Sequence, residues 1–210
     1  GIEPDGKNIW TYREALVPHE VPKKILIIGA GVVGIEFAYF YNALGSEVTV
    51  LDLEDRILPS LDKEITDIAF KELTKKGIDF KFKSKVVDVV KLDNTNEVTL
   101  LSKDIKVKVK VDKVLSAVGI SANIEGLNLS KIGIHIENGV IKVDKFCATD
   151  VKNVYAIGDV VKGPWLAHKA SHEGVMVAEK IANKNPKPIE VGRIPSCIYA
   201  NPQIANIGIT

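Results

Sequence analysis

The stretch from Lys24 to Asp52 restricts the fold of this chain more than any other. Lys24-Ile25-Leu26-Ile27-Ile28 is apolar after its first residue and rich in β-branched side chains. That is the pattern of a strand buried on both faces of a parallel sheet. Gly29-Ala30-Gly31-Val32-Val33-Gly34 follows at once. Val33, Phe37, Tyr41 and Leu44 then recur at i, i+4, i+8 and i+11, which predicts one apolar helical stripe. Gly45 stands where a C-terminal cap belongs, and Glu47 to Leu51 predicts a second strand ending at Asp52. The whole is a βαβ unit of about 30 residues.

A glycine triplet alone is weak evidence, but each position here has a physical task. Gly29 permits the tight turn, Gly31 lets a pyrophosphate approach the backbone, and Gly34 allows helix and strand to pack closely. Unpaired amides and the dipole at the start of the helix favour a bound anion. Asp52, 18 positions after Gly34, can accept hydrogen bonds from both adenosine ribose hydroxyls. It would repel a 2′-phosphate, which favours NAD over NADP. Glu36, early in the helix as the second residue past Gly34, either faces solvent or projects toward the ligand cleft.

Further along, Lys63 to Lys76 predicts a helix with Ile65, Ile68, Ala69 and Leu73 as its apolar face and Gly77 as its stop. Asp79 to Phe82 predicts another parallel strand. From Val86 to Val111 the pattern changes to three short alternating strands, with a turn at Asn94-Thr95-Asn96, as in an antiparallel meander. Lysines between Lys103 and Lys110 alternate with Ile105, Val107 and Val109; they read as a solvated strand face, with phosphate binding the less favoured alternative. Lys113 to Val118 returns to a buried strand that ends at Gly119. After it come expected strands at Ile141 to Val143 and Asn153 to Ile157, the pair Gly158-Asp159, and a helix from Ala167 to Asn183. The predicted strand ending at Gly158 places the Asp159 carboxylate where open α/β sheets bind ligands, although a Gly-Asp pair is common in ordinary turns.

Composition narrows the function classes. The 210 residues are 46% hydrophobic, and 28 basic against 27 acidic residues leave a net charge of +1. That balance points neither to nucleic acid nor to a membrane surface. Mean hydropathy is +0.09, and no apolar run approaches the roughly 20 residues that span a bilayer. Cys147 and Cys197 form no CxxC or metal-ligand pattern, so free thiols in a reducing cytoplasm are expected. The opening on Gly1 without an initiator methionine or leader, and the close within Ile207-Gly208-Ile209-Thr210, read as the middle of a longer protein.

The stretches Gly29–Glu36, Val48–Pro59, Val114–Gly119, Thr149–Asp159 and Gly163–Gly174, in this order, together resemble the pyridine nucleotide–disulfide oxidoreductases, flavoproteins with two dinucleotide folds. Gly163-Pro164-Trp165-Leu166-Ala167-His168-Lys169-Ala170 is similar to the segment typical of their dihydrolipoamide dehydrogenase branch. Ile9-Trp10-Thr11-Tyr12-Arg13-Glu14-Ala15-Leu16 and Ile194-Pro195-Ser196-Cys197 fit the same branch.

The resemblance implies an α/β fold. A Rossmann-like NAD-binding domain with a leading linker (1–121) would precede part of an FAD-binding domain (122–192) and the start of a dimerisation domain (193–210). It implies that Gly29, Ala30, Gly31, Val32, Val33, Gly34, Ile35 and Glu36 hold the NAD diphosphate, that Asp52 holds the ribose, and that Val86 lines the adenine site. Gly119 would contact the nicotinamide side, and Glu36 would lie near the nicotinamide and flavin. Gly158 and Asp159 would hold the FAD ribityl chain, while Trp165, Leu166, Ala167 and His168 run beside the flavin, His168 as a positioning residue.

The family's FAD-side GxGxxG, its CxxxxC redox pair and its acid/base His-Glu pair are not in this sequence, and Ile120 stands where Arg is common. The implied parent is a cytoplasmic homodimer that oxidises protein-bound dihydrolipoamide with NAD+. It would pass electrons through its redox cysteines and flavin, and serve lipoyl domains of 2-oxoacid dehydrogenase or glycine cleavage complexes. This chain alone would be inactive. A sister disulfide reductase or NADH oxidase, or a non-catalytic nucleotide-binding module, are the alternatives.

Overall fold

The computed structural model describes residues 2–93 and 95–208. The chain divides into two compact units: residues up to Gly119 together with Cys197–Asn206, and Ile120–Ser196 with the remaining C-terminal residues.

In the first unit, β1 (Ile9–Trp10) leads to α1 (Tyr12–Leu16), followed by β2 (Lys24–Ile28), α2 (Val32–Ala43), β3 (Glu47–Leu51), α3 (Lys63–Lys75) and β4 (Asp79–Lys81). The meander strands β5 (Ser84–Lys91), β6 (Asn96–Ser102) and β7 (Ile105–Val111) come next, then β8 (Lys113–Ser116). A five-stranded sheet runs in the order β1-β8-β2-β3-β4, and all its pairs are parallel. The predicted antiparallel meander forms its own sheet, β5-β6-β7. Of the expected Asn94-Thr95-Asn96 turn, Asn94 lies outside the described residues, as do Ile209 and Thr210 of the terminal alternation.

The continuous apolar run of β2 has a direct cause. Ile25 and Ile27 pack with Ile35, Phe37, Ala38, Tyr41, Ala69 and Leu73 on the helical side. Leu26 packs with Val86, Val89, Val98, Leu100 and Val111 of the meander on the other. Alternate residues of β8 divide in the same way, Leu115 toward the helices and Val114 toward the meander. Helices cover one face of the parallel sheet and an antiparallel sheet covers the other, so neither face can carry polar side chains.

Local signals set the helix limits. Thr11 and Glu14 form a reciprocal capping box at α1. The Asp62 carboxylate accepts the Glu64 and Ile65 amides at 2.9 and 3.3 Å and starts α3. Gly45 and Gly77 sit at φ +93° just past α2 and α3, where a left-handed residue ends a helix.

Two expected helix faces are rotated. On α2 the buried residues are Gly34, Ile35, Phe37, Ala38 and Tyr41, while Val33 and Leu44 are 37% and 49% exposed. The cause is Gly34, whose lack of a side chain lets this face come closest to the strand. On α3 the buried positions are Thr66, Ala69 and Leu73, and Ile65 and Ile68 face solvent. Small residues again set the approach. The buried Thr66 hydroxyl donates to the Lys63 carbonyl at 3.1 Å, and Phe70 clusters with Phe80 and Phe82 beside that face.

The second unit is loop-rich. It holds β9 (Ile136–Glu137) paired with β10 (Val140–Ile141) and the long α4 (Ala167–Ile181). The expected strand at Asn153 to Ile157 is not formed: Tyr155 makes one isolated bridge to Ala148. Residues 147–149 lie beside it but the pairing is short: Thr149 N–H donates to the Val154 carbonyl and Ala156 N–H to the Cys147 carbonyl, each at 3.0 Å. Gly158–Val160 is therefore a short 3-10 turn and not a sheet-strand terminus. The expected strand at Ile141 to Val143 shortens to β10. Near the end, β11 (Ser196–Ile198) and β12 (Ile204–Asn206) pair as a two-stranded sheet. Ile198, Ala200 and Ile204 join the helix-side core of the first unit.

Candidate functional site

β2 is flanked by β3 on one side and β8 on the other, so the chain reverses its order of strand addition at the carboxyl end of β2. That is where open parallel sheets leave a ligand crevice, and Gly29–Gly34 occupies it. The backbone of the turn is pinned on both sides. Gly29 N–H donates to the Leu51 carbonyl and Ala117 N–H to the Ile28 carbonyl, each at 2.8 Å.

The three glycines differ in what demands them. Gly29 has φ +110°, and a Cβ there would lie 2.4 Å from the Ala117 carbonyl oxygen. At Gly34 a Cβ would lie 1.8 Å from the Gly29 oxygen. Both are required by the protein itself. Gly31 is not: its φ is −75°, open to any residue, and a Cβ would meet nothing within 4 Å. Its bare backbone faces free space at the head of α2, where no side chain caps the amides. The first amide of that turn to bond within the helix is Ile35, to the Gly31 carbonyl at 3.0 Å. A pyrophosphate fits such a space, and the uncapped amides supply the donors for it.

Asp52 does more than the sequence indicated. Its Oδ2 accepts the Ala30 amide at 2.5 Å and its Oδ1 the Glu54 amide at 2.9 Å. The carboxylate is thus the strut that fixes the glycine turn, and its partly exposed face leaves lone pairs for further donors. Leu58, buried at φ +48°, closes the other side by donating its amide to the Ala30 carbonyl at 2.9 Å. Sequence reading passed over Leu58 and Ala117 because neither residue type signals a contact made through the backbone.

Ile35 is fully buried beneath the turn, while Val32 and Val33 are exposed at its surface. Glu36 is half-buried and accepts the Tyr199 amide at 2.9 Å, which ties the exposed Tyr199 to the N-terminal half of α2. Val86 is buried in the meander core, and a register irregularity follows between Val86 and Asp88. Gly119 is exposed at φ +124°, and a Cβ there would meet nothing within 4 Å.

In the second unit, Gly158 at φ +75° is buried and Asp159 exposed. Trp165 donates its indole N–H to the Val161 carbonyl at 3.0 Å. Leu166 is the N-cap of α4 and caps nothing with its side chain, so the amides of Ala167, His168 and their neighbours open a second uncapped helix start. His168 Nε2 lies 2.7 Å from the Pro195 carbonyl. A carbonyl only accepts, so Nε2 must carry the proton, and the ring is engaged as a tether. Lys169 and Glu173, a buried ion pair with Nζ and Oε1 2.9 Å apart, were not singled out by the sequence reading.

The two cysteines are not paired with each other. Both are free thiols, Cys147 buried and Cys197 exposed, and burial pushes the Cys147 thiol up to about 11, with the Glu173 charge adding to the effect. Among the described residues no group of His, Cys, Asp and Glu could hold a metal ion, and no helix is long and apolar enough to cross a membrane.

A glycine turn and an uncapped helix start at the crevice of a parallel sheet, with an antiparallel meander on the opposite face, define a Rossmann-like α/β domain of the dinucleotide-binding class. The family profile of the pyridine nucleotide-disulphide oxidoreductases matches residues 1–174, and the chain belongs to that family. Among its relatives, the dihydrolipoyl dehydrogenase of Rhizobium etli is 45% identical over 212 residues, covering all of this chain and 44% of that protein. The Bacillus subtilis dihydrolipoyl dehydrogenase is 42% identical, again over all of this chain and 45% of its own length. The mitochondrial enzyme of Pisum sativum is 38% identical over the whole chain and 42% of its length. The crystal structure of LpdA from Mycobacterium tuberculosis superposes with a TM-score of 0.90 at 26% identity, covering 99% of this chain and 45% of that one. The chain therefore spans less than half the length of the curated relatives it matches. Enzymes of this family use FAD and NAD(H).

Proposed function

We propose that this chain is the central part of a dihydrolipoyl dehydrogenase, carrying the NAD(H) site and part of the FAD site of an enzyme that oxidises protein-bound dihydrolipoamide with NAD+. The observation that carries this reading is Gly31. Its missing side chain serves no packing or backbone need of the protein, so what it spares is room for a ligand. The identity with dihydrolipoyl dehydrogenases over the full chain supports the branch.

On this reading Gly29–Glu36 bind the dinucleotide: the uncapped amides at the head of α2 take the diphosphate. Asp52 takes the adenosine ribose while bracing Ala30, and Val86 and Gly119 border the adenine and nicotinamide ends. Glu36 and the Tyr199 segment that it holds border the nicotinamide. Gly158, Asp159 and Trp165–His168 hold the ribityl chain and flank the ring of FAD. The flavin, when bound, supplies two-electron exchange between a redox disulfide and the nicotinamide. Cys147, buried and weakly acidic, is not that disulfide. Residues 1–121 then form the NAD domain, 122–192 part of the FAD domain, and 193–210 the start of a dimerisation domain. The whole enzyme is a cytoplasmic homodimer acting on lipoyl domains of 2-oxoacid dehydrogenase or glycine cleavage complexes, and this chain by itself turns over no lipoamide.

Calorimetric titration of the chain with NADH and then NADPH tests the site. Saturable NADH binding with clearly weaker NADPH is expected. Asp52→Ala should narrow that preference and weaken both, since the Ala30 strut goes with the ribose acceptor. A folded chain that binds neither nucleotide overturns the assignment.

A further inference from the structure

One buried charged pair has no task in the function proposed so far. Lys169 and Glu173 stand one helical turn apart on α4, their side chains 2% and 8% exposed. Isolated ion pairs of this kind seldom repay the removal of two charges from water, and apolar residues of the same volume would serve stability as well or better. The pair is also poorly satisfied on one side. Lys169 Nζ, although 2.9 Å from Glu173 Oε1, makes no aligned hydrogen bond to any described residue. Its stem lies against Gly163, where a Cβ would stand 3.0 Å from Lys169 Cε.

Glu173 is engaged differently. Its second oxygen, Oε2, accepts the Gly158 amide at 2.8 Å from 15 residues away. A buried backbone N–H needs an acceptor, and a neighbouring strand would ordinarily provide it. The pairing of this segment with residues 147–149 ends at Ala156, whose amide donates to the Cys147 carbonyl at 3.0 Å, and at Gly158 a side-chain carboxylate takes the place of a strand. The fit is close: a Cβ on Gly158 would lie 3.3 Å from the Ala170 Cβ of α4. The amide so held immediately precedes Asp159, whose carboxylate is presented from this 3-10 turn.

We propose that Glu173 is a positioning residue for Asp159, acting through the Gly158 amide, with Lys169 as the buried counter-charge that lets a carboxylate stand there. The proposal rests on the reading of Asp159 as a ligand of the FAD ribityl chain.

The test uses the full-length protein, stripped of flavin and titrated with FAD by quenching of flavin fluorescence, with folding followed by circular dichroism. Lys169→Met/Glu173→Gln removes both charges but keeps an acceptor oxygen for Gly158. Lys169→Met/Glu173→Met removes the acceptor as well. The first should bind FAD within about threefold of wild type and the second at least tenfold more weakly (about 1.4 kcal/mol). In an Asp159→Ala background the difference between the two should vanish, which a merely structural role would not produce. Equal affinity of the two double variants, or a difference that persists without Asp159, overturns the proposal while leaving the flavin reading intact. A wild-type protein that takes up no FAD, or an Asp159→Ala variant that binds like wild type, overturns the flavin reading and the proposal with it. Should the Met/Met variant not fold, amide exchange at Gly158 in wild type decides: strong protection is expected, and exchange at the rate of an open loop refutes the role of Glu173.

Discussion

Replacing Gly31 and Gly34 in turn by alanine separates what the fold requires from what the ligand requires. At Gly34 the new Cβ would stand 1.8 Å from the Gly29 carbonyl oxygen and 2.9 Å from its carbon. Backbone cannot yield as a flexible side chain does, so α2 must move off the turn. Overpacking of this kind costs about 1–3 kcal/mol, and the displaced helix start should lose nucleotide binding as well. At Gly31 the new methyl meets no protein atom within 4 Å, and φ is −75°. Stiffening the unfolded chain gains about 0.4–1 kcal/mol, and giving up glycine for alanine at an N-cap costs about the same. The two nearly cancel. Thermal unfolding of Gly31→Ala should therefore stay within about 3 °C of wild type, whereas Gly34→Ala should melt several degrees lower. In calorimetric titration with NADH, Gly31→Ala should nonetheless lose at least tenfold in affinity, because the methyl takes the space left for the diphosphate. A Gly31→Ala protein that binds NADH as wild type does would refute the argument that this glycine is spared for a ligand.

Other consequences can be checked on the same protein. Tyr41 is fully buried and donates its hydroxyl to the Ala15 carbonyl at 2.7 Å; Tyr41→Phe orphans that carbonyl and should lower stability by about 1–3 kcal/mol in urea unfolding. Ellman's reagent should label Cys197 alone in the native chain and both thiols in denaturant, as expected of one exposed and one buried cysteine. Burial raises the Cys147 thiol from 9.0 to about 11, so the folded state holds this proton more tightly than the unfolded one. Its contribution to stability is present below pH 9, is lost as the pH rises from there, and is gone above about 11. A Cys147→Ala variant should show a shallower loss of stability over that window, measured against wild type so that the similarly raised Tyr41 cancels.

The Lys24–Asp52 unit was legible because three separate signals coincide there: a doubly buried strand, glycines at fixed spacing, and an acid at the end of the next strand. Periodicity also disclosed the meander, since antiparallel strands with one open face must alternate. It failed on the azimuth of α2 and α3. A pattern of apolar residues says that a helix has a buried side, yet small residues at Gly34, Thr66 and Ala69 set which side comes closest, and hydrophobicity barely registers them. It failed again at Asn153 to Ile157, where strand-forming residues find only one bridge, Tyr155 to Ala148, and no ladder follows.

The sequence by itself determined the local rules: where chain direction can reverse, which turns demand glycine, and which family the motifs resemble. Tertiary structure alone decided the long-range bonds. It made Asp52 the strut of the Ala30 amide, brought Leu58 onto the Ala30 carbonyl, set Tyr199 on Glu36, and gave the Gly158 amide to Glu173. Each of these is a contact between a backbone group and a residue distant along the chain. Residue type and spacing carry no record of such a contact until packing brings the two together.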